Sequence, residues 1–212
     1  MTEIITAGPG DLDVLSHVIA EAFCDLPPSR WLIGRRDARS QVFPAYFRIY
    51  LDHALARGVI CTTPDRDAAA LWIPVGETMP GPLPGYEDRL LAATTGWTSR
   101  FIAFDTALER CHPAGMPHHY LAILAVRPGR QGQGIGTALL SHHHQMLDQA
   151  GMAAYLEASS ERNRSLYLRH GYVLRPDRPF DLPDDGPPMW PLWREPRRAA
   201  VGQARTQTPN QR

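Results

Sequence analysis

Between Val126 and Leu140 the chain reads V-R-P-G-R-Q-G-Q-G-I-G-T-A-L-L, an apolar strand passing through a glycine-rich turn into a helix. Such a turn leaves backbone N–H groups unpaired at a helix N-terminus, where they and the helix dipole hold a phosphate or pyrophosphate. Gly132, Gly134 and Gly136 let the backbone approach that anion without a side-chain clash. The spacing excludes two other cradles. Gly129 to Gly134 is followed by Ile135 and Gly136 rather than by Lys and Ser or Thr, so a P-loop for ATP or GTP is not expected. Thr137 stands where the third glycine of G-x-G-x-x-G would fall, so the dinucleotide fingerprint fails as well. A second chemical signal is Tyr167, a phenol whose ordinary pKa near 10 keeps it protonated at neutral pH and able to donate a proton.

What remains, Gln131-Gly132-Gln133-Gly134-Ile135-Gly136, fits the Q/R-x-x-G-x-G/A loop of the GNAT superfamily of acyl-CoA N-acyltransferases. Upstream, Tyr120 to Val126 looks like that family's bulged fourth strand. Downstream, Asn163 to Tyr172 matches its N-x-x-x-Y-x-x-x-G-[FY] segment. The chain therefore resembles this superfamily. Within it, Ala22 to Pro27, Ala70 to Trp72, Tyr155 to Ser159 and Gly186 to Trp190 are similar to segments of the puromycin N-acetyltransferases. That likeness spans residues 1–196 and is close only from Leu121 to Tyr172; the region 76–117 departs from it.

The resemblance implies acetyl-CoA as co-substrate. Backbone groups of Leu124, Ala125 and Val126 would hold the pantetheine arm and polarise the thioester carbonyl. Gln131, Gly132, Gln133, Gly134, Ile135, Gly136 and Thr137 would hold the pyrophosphate. Asn163 would bond pantetheine, with helix capping as its other reading, and Tyr167 would be the general acid beside the sulfur, with packing as its other reading. Arg127 and Arg130 could add charge or be ordinary solvated arginines. The strand before the loop carries no carboxylate, so the general base must be Glu157, His118, His119 or a water chain, and Glu157 leads. Asp25, Trp72 and Trp190 are candidates for the acceptor pocket. The implied activity moves an acetyl group to the primary amine of a small molecule by direct attack in a ternary complex. An aminonucleoside or other antibiotic, acetylated for resistance or self-protection, is the acceptor suggested. Two alternatives stay open: a non-catalytic acyl-CoA-binding or sensing module, and a protein N-acetyltransferase.

The elements that must position these residues follow from periodicity. Glu3 to Ala7 reads as a strand, and Asp11 as the cap of a helix whose apolar positions Leu12, Leu15, Ile19, Ala22 and Phe23 share a face. Pro27 and Pro28 stop it. A second helix runs from Asp37 to Arg57, broken or bent near Pro44, ended by Gly58, with Phe43, Tyr46, Phe47 and Tyr50 as packing residues. Val59 to Thr63 and Ala68 to Ile73 form a hairpin around Pro64 to Asp67. Residues 74–85, with four prolines and three glycines, read as a loop able to flap over the acceptor site. Tyr86 to Arg110 is helical, His119 to Val126 a strand, Gly134 to Ala150 a helix ended by Gly151, Ala153 to Ala158 a strand, and Arg164 to His170 a short helix. Tyr172 to Leu174 and Met189 to Trp193 are the last strands, around a linker at 176–188. The fold class is α/β (α+β), one GNAT-like domain over 1–196 with a mixed, partly antiparallel twisted central sheet flanked by helices. The polar tail 197–212 is expected to be disordered.

Composition bounds the rest. The chain has 212 residues, 43% hydrophobic and 21% charged, enough for one domain with a substantial core. Its 22 basic residues, all arginine, balance 22 acidic ones, so no basic field points to nucleic acid or an anionic membrane. Cys24, Cys61 and Cys111 form no C-x-x-C pair, which fits a reducing, cytoplasmic compartment. Neither a signal core nor a membrane-spanning run is expected. His142-His143-His144 reads as a solvated helix face, since consecutive helical residues diverge by about 100°; Cys111, His112, His118 and His119 lack zinc-finger spacing, so no metal is expected. Monomer and homodimer both stay open.

Overall fold

The computed structural model describes residues 2–175 and 179–197. After β1 (Ile5–Thr6) the chain makes one turn of 3-10 helix, Pro9–Asp11, and enters α1 (Leu12–Phe23). Asp11 does not cap α1 as the sequence suggests. Its carboxylate turns back to accept the Gly8 N–H at 2.8 Å and takes Arg66 at 2.8 Å from the turn at 63–67, fixing the strand-to-helix corner. Leu12, Leu15, Val18 and Ile19 form the buried stripe of α1. Pro27 and Pro28 end that helix and also start the next, α2 (Pro27–Leu32), because the first helical turn needs neither of their missing N–H groups.

Next, α3 (Arg36–Arg57) is one helix carrying Pro44 inside it, so of the expected break or bend there the break does not occur. An interior proline costs about 3 kcal/mol. Full burial of Phe43, Phe47, Ile49 and Leu51 on the same helix offsets that, each contributing about 1.5–3 kcal/mol. Gly58 ends α3 for a steric reason: a Cβ there would lie 2.0 Å from the Trp72 carbonyl oxygen. The hairpin follows as β2 (Val59–Thr62) and β3 (Ala68–Val75). The expected helical region from Tyr86 holds two helices, α4 (Tyr86–Ala93) and α5 (Thr98–Cys111). They part where Thr94 Oγ1 bonds the Leu90 carbonyl at 2.6 Å and Gly96 takes φ +83°. Then come β4 (His118–Val126), α6 (Ile135–Ala150), β5 (Ala153–Ala158), α7 (Glu161–Arg169), β6 (Val173–Leu174), β7 (Phe180–Asp181) and β8 (Pro188–Arg194). Part of the expected linker, 176–178, and the expected disordered tail beyond Arg197 lie outside the described residues.

Among the described residues the strands are ordered β1-β2-β3-β4-β5-β8-β6, with β7 paired to the start of β8. Every neighbouring pair is antiparallel except β4 and β5, which are parallel. The result is the expected mixed sheet flanked by helices, and it is largely antiparallel. One face packs on α1, α3 and α5 through residues such as Leu15, Phe43, Leu51, Phe101, Leu71 and Ile123. The other packs on α6 and α7 through Trp72, Leu121, Leu139, Leu156, Tyr172 and Leu192.

Candidate functional site

Two irregularities in the centre of the sheet make room for chemistry. The β3–β4 register shifts between Leu71↔Ile123 and Trp72↔Leu121, so Ala122 is extra on β4, a β-bulge. Its effect is visible in the side chains: Ala122 and Ile123 both join the α1–α3 face, where strict alternation would put them on opposite faces. Alongside, β4 and β5 share rungs only at His118↔Ala153, His119↔Ala154 and Tyr120↔Tyr155. Beyond Tyr120 the facing edges of the two strands are unpaired with each other, and Leu124 to Val126 lie on that open edge of β4.

At the end of β4 the chain enters the glycine turn. Gly129, Gly132 and Gly134 have φ of +85°, +78° and +81°, values that β-carbon-bearing residues rarely adopt. Gly134 caps α6, and the Ala138 N–H is the first to bond back, to the Gly134 carbonyl at 2.9 Å. The N–H groups of Ile135, Gly136 and Thr137 therefore point out of the N-terminus of a 16-residue helix. Gln131 and Gln133 do not reach outward: Gln131 Nε2 donates to the Val126 carbonyl at 3.1 Å and Gln133 Nε2 to the Gly129 carbonyl at 3.2 Å, bracing the turn. Arg127 and Arg130 are both tied to Asp67, at 3.1 and 3.3 Å. The donor set is thus a backbone nest on a long helix, beside an open strand edge. That fits an elongated ligand with a pyrophosphate at one end and amide groups along its length, as coenzyme A has.

A pocket opens where β4 and β5 diverge. Tyr46, Tyr50, Phe43 and Phe47 of α3 and Phe104 of α5 wall one end; Glu157, Ser159, Asn163 and Tyr167 line the other. Tyr120 Oη donates to Glu157 Oε2 at 2.9 Å, while Glu157 Oε1 is buried and has no partner among the described residues. Burial pushes the Glu157 carboxyl up to about 7, against the Tyr155 and Tyr120 phenols, which favour its charged form. Burial alone holds the Tyr167 phenol above its usual value. Among the described residues no group bonds the Tyr167 hydroxyl; its ring packs edge-on to Tyr172, centroids 5.8 Å apart. Asn163 sits in the first turn of α7, where its N–H bonds Ser160 Oγ at 3.2 Å and its amide bonds Ser159 Oγ at 3.3 Å. The cap is Ser160, which leaves the Asn163 side chain at the pocket wall.

Other candidates lie elsewhere. Trp72 is fully buried on the α6 face, stacked on His143 with centroids 4.2 Å apart, because β3 alternation turns Leu71 and Ile73 to the pocket side and Trp72 away. Trp190 is likewise on the α7 face beneath Arg164, and its neighbour Met189 lines the pocket instead. Asp25 stands at the surface. Partial burial works against its charge, but Arg36 and Arg39, at 3.4 and 3.2 Å, outweigh it and hold the carboxyl below its ordinary value. His118 and His119 bond His112 and His143 at 3.1 and 3.0 Å and do not line the pocket. The solvated reading of the histidine run holds for His142 only: His143 and His144 are buried, and burial pushes both down to about 3. Among the described residues no group of three or more His, Cys, Asp or Glu could hold a metal ion, and no helix is long and apolar enough to cross a membrane.

The sequence alone does not single out Tyr120, Tyr46, Tyr50 or Asp105. The first holds Glu157; the others form a hydrogen-bonded wall in which Tyr50 and Tyr86 both donate to Asp105.

Residues 95–174, from α5 through the bulged strand, the glycine turn and α7, match the model of the acetyltransferase (GNAT) domain. The chain carries a GNAT acetyltransferase domain. The crystal structure of histone acetyltransferase HPA2 and related acetyltransferase from Corynebacterium glutamicum is similar over 95% of this chain and 100% of that one, at 27% identity and a TM-score of 0.70. Arylalkylamine N-acetyltransferase 2 from Aedes aegypti shares the fold at 13% identity and a TM-score of 0.63, covering 92% and 99% of the two chains. PaiA N-acetyltransferase from Thermoplasma acidophilum, in complex with coenzyme A, does so at 12% identity and a TM-score of 0.54, covering 92% and 99%. With this GNAT domain the chain is an acetyl-CoA-dependent N-acetyltransferase, and its neighbours include enzymes of proteins and of small amines.

Proposed function

We propose that this acetyltransferase acts on the primary amine of a small organic molecule, with Glu157 as general base and Tyr167 as general acid. The observation that carries the reading is the meeting, in one aromatic-walled pocket, of a buried Glu157 oxygen and the Tyr167 phenol, neither of which has a hydrogen-bond partner among the described residues. A walled pocket between α1, α3 and α5 suits a compact acceptor better than an extended peptide. Puromycin and related aminonucleosides are the first antibiotics to test, given the similar segments between Leu121 and Tyr172.

Acetyl-CoA supplies the activated acyl carbon. Glu157 Oε1 takes the proton of the acceptor's ammonium, which frees the nitrogen lone pair to form the C–N bond. As the tetrahedral adduct collapses and the C–S bond breaks, Tyr167 Oη gives its proton to the sulfur, the surplus proton of the acylated nitrogen replaces it on Tyr167, and Glu157 releases its proton to solvent. The N–H groups of Ile135, Gly136 and Thr137 hold the pyrophosphate, and the open edge of β4 at Leu124 to Val126, with Asn163, aligns the pantetheine arm.

A panel of small amines including puromycin, monitored by thiol release, is expected to find rapid turnover for at least one compact amine and none for peptide N-termini. Turnover confined to peptides would overturn the small-molecule reading. The loop is tested separately. At Gly134 an added Cβ meets nothing within 4 Å, so Gly134→Ala is penalised only by its φ of +81°. That penalty, about 1–2 kcal/mol, falls on binding once the free loop relaxes, and the Kd for CoA should rise about 5- to 30-fold by calorimetry. An unchanged Kd would remove this turn from the donor site.

A further inference from the structure

The far wall of the pocket is built around a second carboxylate. Asp105, on α5, accepts the Tyr50 hydroxyl at 3.2 Å and the Tyr86 hydroxyl on its other oxygen. Tyr50 and Tyr46, whose hydroxyls lie 3.0 Å apart, both line the pocket. A phenol has one proton. Tyr50 gives its own to Asp105, so Tyr46 is the donor in the Tyr46–Tyr50 pair, and neither hydroxyl has a proton left for a ligand. Tyr120 is committed in the same way to Glu157. These three phenols therefore offer an incoming molecule only lone pairs and ring faces.

The charge balance points the same way. Among the described residues neither Asp105 nor Glu157 has a cationic partner, and Glu157 is the one charged residue lining the pocket, with no arginine or histidine beside it. Phe43, Phe47 and Phe104 add aromatic surfaces of the kind that attracts organic cations. Two half-buried carboxylates, Glu157 lining the pocket and Asp105 behind its aromatic wall, have no cationic partner among the described residues.

We propose that the acceptor is a carboxylate-free diamine, its reacting nitrogen at Glu157 and its second ammonium against the Tyr46–Tyr50 pair backed by Asp105. This rests on the acetyl-transfer reading of the pocket and specifies the acceptor's chemistry. An acceptor bearing a carboxylate at its far end would set that charge against lone pairs and the Asp105 carboxylate behind them.

The test uses the purified enzyme with acetyl-CoA and three series of graded chain length: linear α,ω-diamines, matching n-alkylamines and matching ω-amino acids. The diamine series should show a length optimum at which kcat/KM exceeds that of the matching monoamine by about tenfold, with the ω-amino acids poorest. In Asp105→Asn the diamine-to-monoamine ratio, measured on the same preparation, should fall by about tenfold. Tyr50→Phe, which keeps the ring and cuts the link to Asp105, should lower it in the same direction and serves if the first variant does not fold. Equal rates for diamines and monoamines, or a ratio unmoved in both variants, overturn the proposal and leave the acetyl-transfer reading standing; no turnover of any amine overturns both.

Discussion

Glu157→Gln is expected to lower kcat/KM by about 10²- to 10⁴-fold at pH 7 while leaving the Kd for CoA unchanged and making the folded protein more stable above neutral pH. The two halves of that expectation come from one feature. A carboxyl pushed up to about 7 from its ordinary 4.5 binds its proton more tightly in the folded chain than in the unfolded one. The stability it contributes is present in full below pH 4.5 and is lost as pH rises through 7; the difference of about 2.5 units corresponds to about 3 kcal/mol. Glutamine keeps an oxygen for the Tyr120 hydroxyl and carries no charge to desolvate, so thermal unfolding at pH 8 should occur at a higher temperature in the variant. Catalysis has the opposite sign. The base works only when deprotonated, so wild-type kcat/KM should climb with pH and level off above 7, and that limb should vanish in the variant. A carboxylate kept for architecture would give the reverse pair of results, with activity retained and stability lost.

Legibility in the sequence tracks the range over which each feature is determined. The glycine turn is set by local backbone geometry, and the φ values at Gly132 and Gly134 are what the residue types imply. The elements that read clearly have apolar residues where their burial requires them, β5 as a short continuous run buried on both faces and α1 at helical spacing. By contrast, the pocket's partnerships join residues far apart: Tyr120 to Glu157 across 37 positions, Tyr50 to Asp105 across 55. No local pattern encodes those. The phenols on α3 read as packing because their rings do pack, Tyr46 against Phe101 at 4.6 Å, and only their hydroxyl ends belong to the site. His143 and His144 misled for a related reason. They sit with Leu139, Leu140 and Leu147 on the buried face of α6, but their polar type masks the helical stripe. Trp72 is a pocket candidate by residue type, whereas the parity of its strand decides which face it occupies.

Tyr167→Phe isolates the other end of the reaction, and it should lower kcat by about 10²-fold with the KM for acetyl-CoA little changed. Since no described group bonds the Tyr167 hydroxyl, removing it breaks no internal hydrogen bond, and the edge-on packing against Tyr172 survives. Stability should stay within about 0.5 kcal/mol of wild type. The acid's strength raises an apparent objection, because a phenol of pKa above 10 is weaker than a thiol near 8.5 and full transfer to a thiolate runs uphill. Burial resolves it. Desolvation penalises any anion in the same pocket, so a thiolate leaving beside Tyr167 is lifted along with the phenol, and the match between the two acids is kept. The same argument sets the pH signature: the acid must be protonated to act, and burial keeps it so past pH 10. Wild-type activity should therefore show no alkaline fall attributable to Tyr167 below that pH. In the phenylalanine variant the sulfur leaves without a proton donor, and the rate should become sensitive to leaving-group basicity. Acetyl donors built on more acidic thiols should recover most of the loss. Full activity in Tyr167→Phe with acetyl-CoA itself would exclude the hydroxyl from proton donation and leave that task to solvent.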